Sequence, residues 1–232
     1  MIYTHIAYAP IECEKNIGCA YNKFMEILPN DDDWGCFLDH DAMFTTNNWY
    51  NQLNDIIEKN PNLGAFGCKT NRVANGYQLL GNIDPHNHDI SYHRKIGNYV
   101  QTKYYDNIME IKGKLNKHGK LRKRCAYTSP WGFSGVFILL KKKVWKQING
   151  FLENGFLGVD DDFRFRLHRY KIPFYIMNGI YVYHWYRADN IYTGSYSTDT
   201  IQHIDKMYKS KNSNKFDLNK IFLYNGRVQD YE

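Results

Sequence analysis

Within its first 70 residues the chain switches twice between a short apolar run and a stretch of helical periodicity, and this order limits the folds open to it. Ile2 to Tyr8 alternates and is β-rich, which predicts a strand ending at Ala9-Pro10. Ile17, Ala20, Tyr21, Phe24, Met25 and Leu28 then recur at helical spacing, so an amphipathic helix is expected, stopped by Pro29 and the run Asn30 to Asp33. Cys36 to Leu38 reads as a second strand. Thr45 or Thr46 is placed to cap a second helix whose buried stripe is Trp49, Tyr50, Leu53, Ile56 and Ile57. Asn60-Pro61 ends it, and Leu63 to Cys68 reads as a third strand. Strand, helix, strand, helix, strand is an α/β pattern, which predicts parallel pairing with right-handed crossovers.

The remainder is less even. Asn75 to Tyr105 is rich in Asn, His, Gly and Tyr and shows little periodicity. Phe133 to Leu140 predicts a strand and Lys141 to Ile148 a short helix broken by Asn149-Gly150. Asp160 to Tyr170 reads as helix. Ile172 to Met177 and Ile180 to Tyr183 read as two strands split by Asn178-Gly179 and running into His184. Beyond Arg187 the chain is polar and lysine-rich, with a helix expected around Thr200 to Tyr208. With 232 residues, 43% of them hydrophobic, residues 1–187 suit one domain with a real core and 188–232 a polar extension.

The formal net charge of +6 favours anionic partners. Much of it comes from Lys112 to Arg124, "KGKLNKHGKLRKR", with seven basic residues and no acid. A mobile basic loop is expected over 106–128. Because a nucleic-acid protein more often spreads positive charge over a face, no nucleic acid is expected as partner. The five cysteines lack any CxxC arrangement, which argues against a disulfide framework or zinc site and for a reducing, cytoplasmic setting. The first ten residues lack a basic region followed by a long apolar stretch, so no signal peptide is expected. No segment has the length of a membrane span, which leaves peripheral work at a membrane surface open.

Three features could carry chemistry. Asp39 and Asp41 end the apolar run "GCFLDHDAMF", and in open α/β sheets ligands bind at the carboxyl ends of strands. Side chains two apart in extended chain point the same way, so both carboxylates can face one point. Two acids that close repel unless a proton or cation neutralises them, and a hard divalent cation such as Mn²⁺ or Mg²⁺ prefers oxygen ligands. A lone Asp-x-Asp is also ordinary turn punctuation. The second feature is Asp160-Asp161-Asp162. Acids in a first helical turn favour the helix dipole, and Asp160 with Arg164 and Asp162 with Arg166 are i,i+4 pairs. One of the three could equally serve as a general base. The third is His184, ending "IYVYH". Imidazole suits Mn²⁺ beside two carboxylates, although a single histidine in a strand is more often structural.

The order of these pieces resembles the glycosyltransferase family 2 group of GT-A folded nucleotide-sugar transferases, from the first strand to about Arg187. The resemblance is carried by "NIGCAYN" at Asn16 to Asn22, "CFLDHDAMF", "WGFSGVFILLKKKVWKQINGF" at Trp131 to Phe151, "DDDFRFRL" at Asp160 to Leu167 and "YVYHWYR" at Tyr181 to Arg187. It implies a Rossmann-like, mixed and mostly parallel central sheet flanked by helices. It also implies an inverting transfer from a UDP- or GDP-sugar to an acceptor hydroxyl on a glycan, a lipid-linked molecule or a protein. By the same resemblance Asp39 would lie near the donor's ribose and the metal, Asp41 would ligate the metal, and His184 would be the third protein ligand. Asp160 would be the catalytic base. Tyr8, Ala9 and Pro10 would line the nucleotide pocket with Asn16 and Asn22 near it, and Trp131, Gly132, Phe133 and Ser134 would border the donor sugar and acceptor.

Two departures stand out. The strand and helix that in the family often supply a base-reading acid are missing here, and Val159 stands where the family often has Glu. Two other readings remain. A haloacid-dehalogenase-like phosphatase would use the first Asp of the pair as nucleophile. A non-catalytic carbohydrate- or nucleic-acid-binding module would use the tyrosines and the basic loop. The residues leave donor sugar, nucleotide, acceptor and oligomeric state open.

Overall fold

The computed structural model describes residues 1–5, 10–73, 75–111, 133–153, 158–185 and 216–224. Tyr8, Ala9, Trp131, Gly132, the basic run from Lys112, the helix expected around Thr200 to Tyr208 and most of the 188–232 extension lie outside them. The chain is α/β. β1 (Ile2–Thr4) leads through a 3-10 turn at Ile11–Cys13 to α1 (Ile17–Ile27), then β2 (Trp34–Leu38), β3 (Ala42–Phe44), α2 (Trp49–Lys59) and β4 (Ala65–Thr70). Next come β5 (Leu80–Gly81), α3 (Ile90–Tyr104), β6 (Ile108–Glu110), β7 (Phe137–Lys141), α4 (Lys142–Gln147), α5 (Val159–Arg169), β8 (Tyr175–His184) and β9 (Phe222–Leu223).

Seven strands form one sheet in the order β1-β2-β7-β4-β8-β3, with β6 also on β8. Its two parallel pairings are β1 with β2 and β4 with β8; the other four are antiparallel. The expected mixed sheet flanked by helices is found, but the expected parallel majority is corrected to an antiparallel one. β7 enters between β2 and β4 from the opposite direction and separates the strands that crossover helices would have made neighbours, and β3 and β6 both run against β8.

The sheet is buried on both faces, which is why its strands read as continuous apolar runs. In β2, Trp34 and Cys36 join one core with Leu53 and Ile56 of α2, while Phe37 points into the other with Tyr21 and Met25 of α1 and Phe163 and Leu167 of α5. β7 alternates in the same way, Phe137 and Leu139 against Ile138 and Leu140. A third cluster joins α3, through Ile96 and Val100, to Leu80, Tyr181 and Ile221. Residues 216–224 thus return to the domain, β9 pairing with β5.

Several boundaries differ from expectation for identifiable reasons. Asn48, not Thr45 or Thr46, precedes α2, and the Thr45 hydroxyl donates instead to the Tyr181 carbonyl at 2.8 Å. α3 runs 15 residues through a stretch that looked irregular. Its Asp89 cap accepts from Ser91 N, and its buried positions Tyr92, His93, Ile96, Gly97 and Val100 keep helical spacing, but two of them are not apolar in the usual sense. Asn178-Gly179 does not split β8; the strand stays continuous, and its pairing with β4 shifts register between Cys68 and Lys69. The expected loop 106–128 opens with β6 paired to β8. Finally, Cys13 and Cys19 are joined by a disulfide, with Cα atoms 5.4 Å apart. Scattered spacing hid it, because the 3-10 turn folds Cys13 back over the first turn of α1. The argument from cysteine spacing to a reducing compartment does not hold for this pair. Cys36 and Cys68 are free and buried. Among the described residues no helix is long and apolar enough to cross a membrane.

Candidate metal and carboxylate site

β2 delivers Asp39 at its carboxyl end, where the Asp39 amide donates to the Val136 carbonyl at 3.1 Å. The next residues are not extended. Asp39 to Ala42 close a turn through Ala42 N to Asp39 O at 3.0 Å, and the chain enters β3 at once. β3 pairs antiparallel with β8, setting Ala42 opposite His184, and Trp185 N donates to the Asp41 carbonyl at 2.9 Å. The turn makes the two carboxylates converge and the strand register brings the imidazole to them, across 143 residues of chain from Asp41. His184 Nε2 stands 3.2 Å from Asp41 Oδ1 and 3.8 Å from Asp39 Oδ2. One ligand atom from each of the three residues lies within 4.8 Å of the others. His40 is exposed and stands outside this group.

The donor set fits one hard divalent cation. Ligand atoms on an octahedral ion at about 2.1 Å lie roughly 3 to 4 Å apart, the range seen for the His184 contacts. The imidazole is buried at 3% side-chain exposure, whereas Asp39 and Asp41 keep 30% and 25%, so the site is anchored on one side and open on the other. His184 Nδ1 lies 3.0 Å from the Arg72 carbonyl, which can only accept; Nδ1 therefore carries its proton, and Nε2 is aimed at the carboxylates. Burial pushes Asp39 above the ordinary carboxylate range, with the Asp41 charge adding to it and His184 opposing. Burial acts on Asp41 too, but the hydrogen bond and positive charge of His184 outweigh it and hold Asp41 below that range. Two neighbouring acids pushed apart in this way mark a place that gains from a cation.

Asp160 approaches from another element. Gly158, at φ +84, turns the chain into α5 in a left-handed conformation suited to glycine, and Asp160 occupies the first turn. Its carboxylate accepts from Gly135 N at 3.2 Å and Asp161 N at 2.9 Å. The expected pair with Arg164 is not formed. Arg164 reaches Asp161 at 3.4 Å and Arg166 pairs with Asp162. Without a cationic partner, burial raises the Asp160 carboxyl to about 6; the Asp161 charge adds to this, the two backbone hydrogen bonds oppose it, and Asp39 adds a smaller push. Tyr21, whose ring packs on Phe37 at 4.4 Å, feels both acids: burial first, then Asp39 and Asp160, drive its phenol upward. The two halves are thus within electrostatic reach of each other.

The other expected site residues fall into two groups. Asn16 caps α1, accepting from Cys19 N at 3.0 Å, and Pro10 precedes the 3-10 turn; both keep partial exposure. Ser134 sits half-buried just before Gly135. Asn22 and Phe133 are buried and engaged within the fold. Asn22 is buried with both amide atoms engaged, donating to the Phe151 carbonyl and Glu153 and accepting from Phe151 N and the Trp145 indole. Phe133 is core, packed on Phe163 and Phe174. Asn71 and Gln78 carry backbone contacts at the site that sequence reasoning missed; Asn71 at least follows directly on the carboxyl end of β4, whereas Gln78 lies in the 3-10 turn Gly76–Gln78 and carries no such signal.

The chain matches no protein-family model, no curated protein and no solved structure.

Proposed function

We propose that the chain is a metal-dependent, inverting glycosyltransferase of GT-A architecture that moves a sugar from a nucleotide-sugar donor to an acceptor hydroxyl. The observation that carries this reading is the meeting of Asp39, Asp41 and His184 at one point, with the half-buried Asp160 carboxyl close enough to feel Asp39. Asp39, Asp41 and His184 would hold Mn²⁺ or Mg²⁺, which when bound supplies a counter-charge for a departing diphosphate. Asp160 accepts the proton of the attacking hydroxyl. A carboxyl poised near 6 is ionised at neutral pH, yet is a stronger base than an ordinary aspartate. Gly135 N and Asp161 N hold its two oxygens and so fix its direction. One in-line displacement of this kind inverts the anomeric carbon.

A dehalogenase-type phosphatase would need Asp39 as a free nucleophile, whereas both carboxylates here turn toward a histidine. A binding module has no use for a half-buried acid raised to about 6 within electrostatic reach of the cluster. The reading is tested by a calorimetric screen of UDP-, GDP-, CMP- and dTDP-sugars with and without Mn²⁺, followed by transfer assays on the donor found. Mn²⁺-dependent binding of one nucleotide-sugar class is expected. Phosphomonoester hydrolysis with no nucleotide-sugar binding would overturn it.

A further inference from the structure

Asn71 and Gln78 do the same thing to different parts of the site. Each uses one carboxamide to grip both the N–H and the C=O of a single residue, as a neighbouring strand would. Asn71 Oδ1 accepts from His184 N at 2.7 Å, and Asn71 Nδ2 donates to the His184 carbonyl at 3.0 Å and to the Pro85 carbonyl at 3.3 Å. Gln78 Oε1 accepts from Ser134 N at 2.7 Å, and Gln78 Nε2 donates to the Ser134 carbonyl at 3.1 Å. Both amides are buried at 0% exposure. A buried amide with both ends satisfied has one orientation, so the backbone it grips has one too.

The gripped residues matter. His184 is the last residue of β8, where the ladder with β4 has already ended at Thr70 to Val182. Asn71 thus carries the pairing on to His184, two residues past the last rung of that ladder. The adjacent Arg72 carbonyl fixes the imidazole through Nδ1, so residues 71 and 72 together set both the main chain and the ring of His184. Ser134 immediately precedes Gly135, whose N–H holds Asp160. We propose that Asn71 and Gln78 are positioning residues that divide the site between them, Asn71 fixing the metal-ligating half and Gln78 the base half. The inference rests on the metal-site reading above.

The test is crossed. Mn²⁺ affinity by calorimetry and the kinetics of transfer are measured for the wild type, Asn71→Leu and Gln78→Leu, with thermal melts as a check on folding. Loss of a group that orients a metal ligand typically weakens metal binding by about 10- to 100-fold. Asn71→Leu is expected to weaken Mn²⁺ binding in that range. Gln78→Leu is expected to leave it within about twofold while lowering kcat by about tenfold or more, with KM for the donor little changed. A purely structural role would lower both melting temperatures without this split. If a leucine variant loses its cooperative melt, Asn71→Ser and Gln78→Ser carry the same comparison. Equal loss of metal affinity in both variants, or loss in neither, overturns the division. Absence of Mn²⁺ binding in the wild type would instead remove the metal site itself, and this inference with it.

Discussion

The metal half and the base half of the site are built by different means. Asp39, Asp41 and His184 meet through strand register: β3 follows directly from the Asp39–Ala42 turn and pairs with β8 so that Ala42 faces His184. Asp160 is held by local hydrogen bonds, at a helix start entered through a left-handed glycine and steered by one loop amide. The first arrangement rests on the sheet, with Asn71 holding its last residue. The second depends on a loop that must itself be held. The carboxylates differ accordingly. Asp41 is held low by its hydrogen bond to and attraction toward His184 against the effect of burial, whereas burial raises Asp160.

The largest expected effects separate the halves. Asp41→Ala removes a ligand from the register-built half and should abolish both Mn²⁺-dependent donor binding and transfer; unchanged transfer would show that the metal half is not what the register suggests. Asp160→Asn should keep donor binding and lower kcat by roughly 10²- to 10⁴-fold, the usual range for a general base. Full activity in that variant would remove Asp160 from the reaction.

Acidity sharpens the contrast. With Asp160 titrating at about 6, kcat should rise with pH through that value and level off above it. The same shift acts on stability. The folded carboxyl titrates at about 6 and the unfolded one at the ordinary 3.8, so between these values the folded state holds more protons. Stability is therefore lost as pH rises through that window, by on the order of 3 kcal/mol at full ionisation. Asp160→Asn relieves this at the cost of about one backbone hydrogen bond, and a net gain of ~1 kcal/mol at pH 7 is expected, read as a melting temperature raised by a few degrees. A melting temperature that falls would show that the acid is not strained in its site. The last effect touches stability alone. Replacing Cys13 and Cys19 by serine opens a short loop and should cost about 2 kcal/mol, with Mn²⁺ affinity unchanged.

The same contrast explains what was legible in the sequence. β2, α1, α2 and α5 were readable because each has one apolar period facing a core that buries both faces of the sheet. The direction of β7 was not, since antiparallel insertion is a long-range choice that local residues do not encode. α3 was missed because its buried face includes His93 and Gly97: His93 is satisfied by the Tyr181 hydroxyl and the Asn87 carbonyl, and Gly97 by close contact with Thr45. Of the site, Asp39, Asp41 and His184 could be nominated as residue types, but their convergence required β3, three residues that carry almost no signal of their own. The Asp160 environment was misjudged in detail. Arg164 at i+4 looked like its partner, and the helix start instead turned Asp161 toward that arginine. Asn71 and Gln78 carry no motif at all, because a carboxamide that grips a backbone has no sequence spacing to betray it.

The most direct test of the central claim is a Mn²⁺ titration of the wild type and of Asp41→Ala by isothermal calorimetry at pH 7, each with and without UDP and GDP. The account predicts a single Mn²⁺ site in the wild type, strengthened by one of the nucleotides and lost in Asp41→Ala while the fold still melts cooperatively. Equal Mn²⁺ binding by both proteins would contradict it.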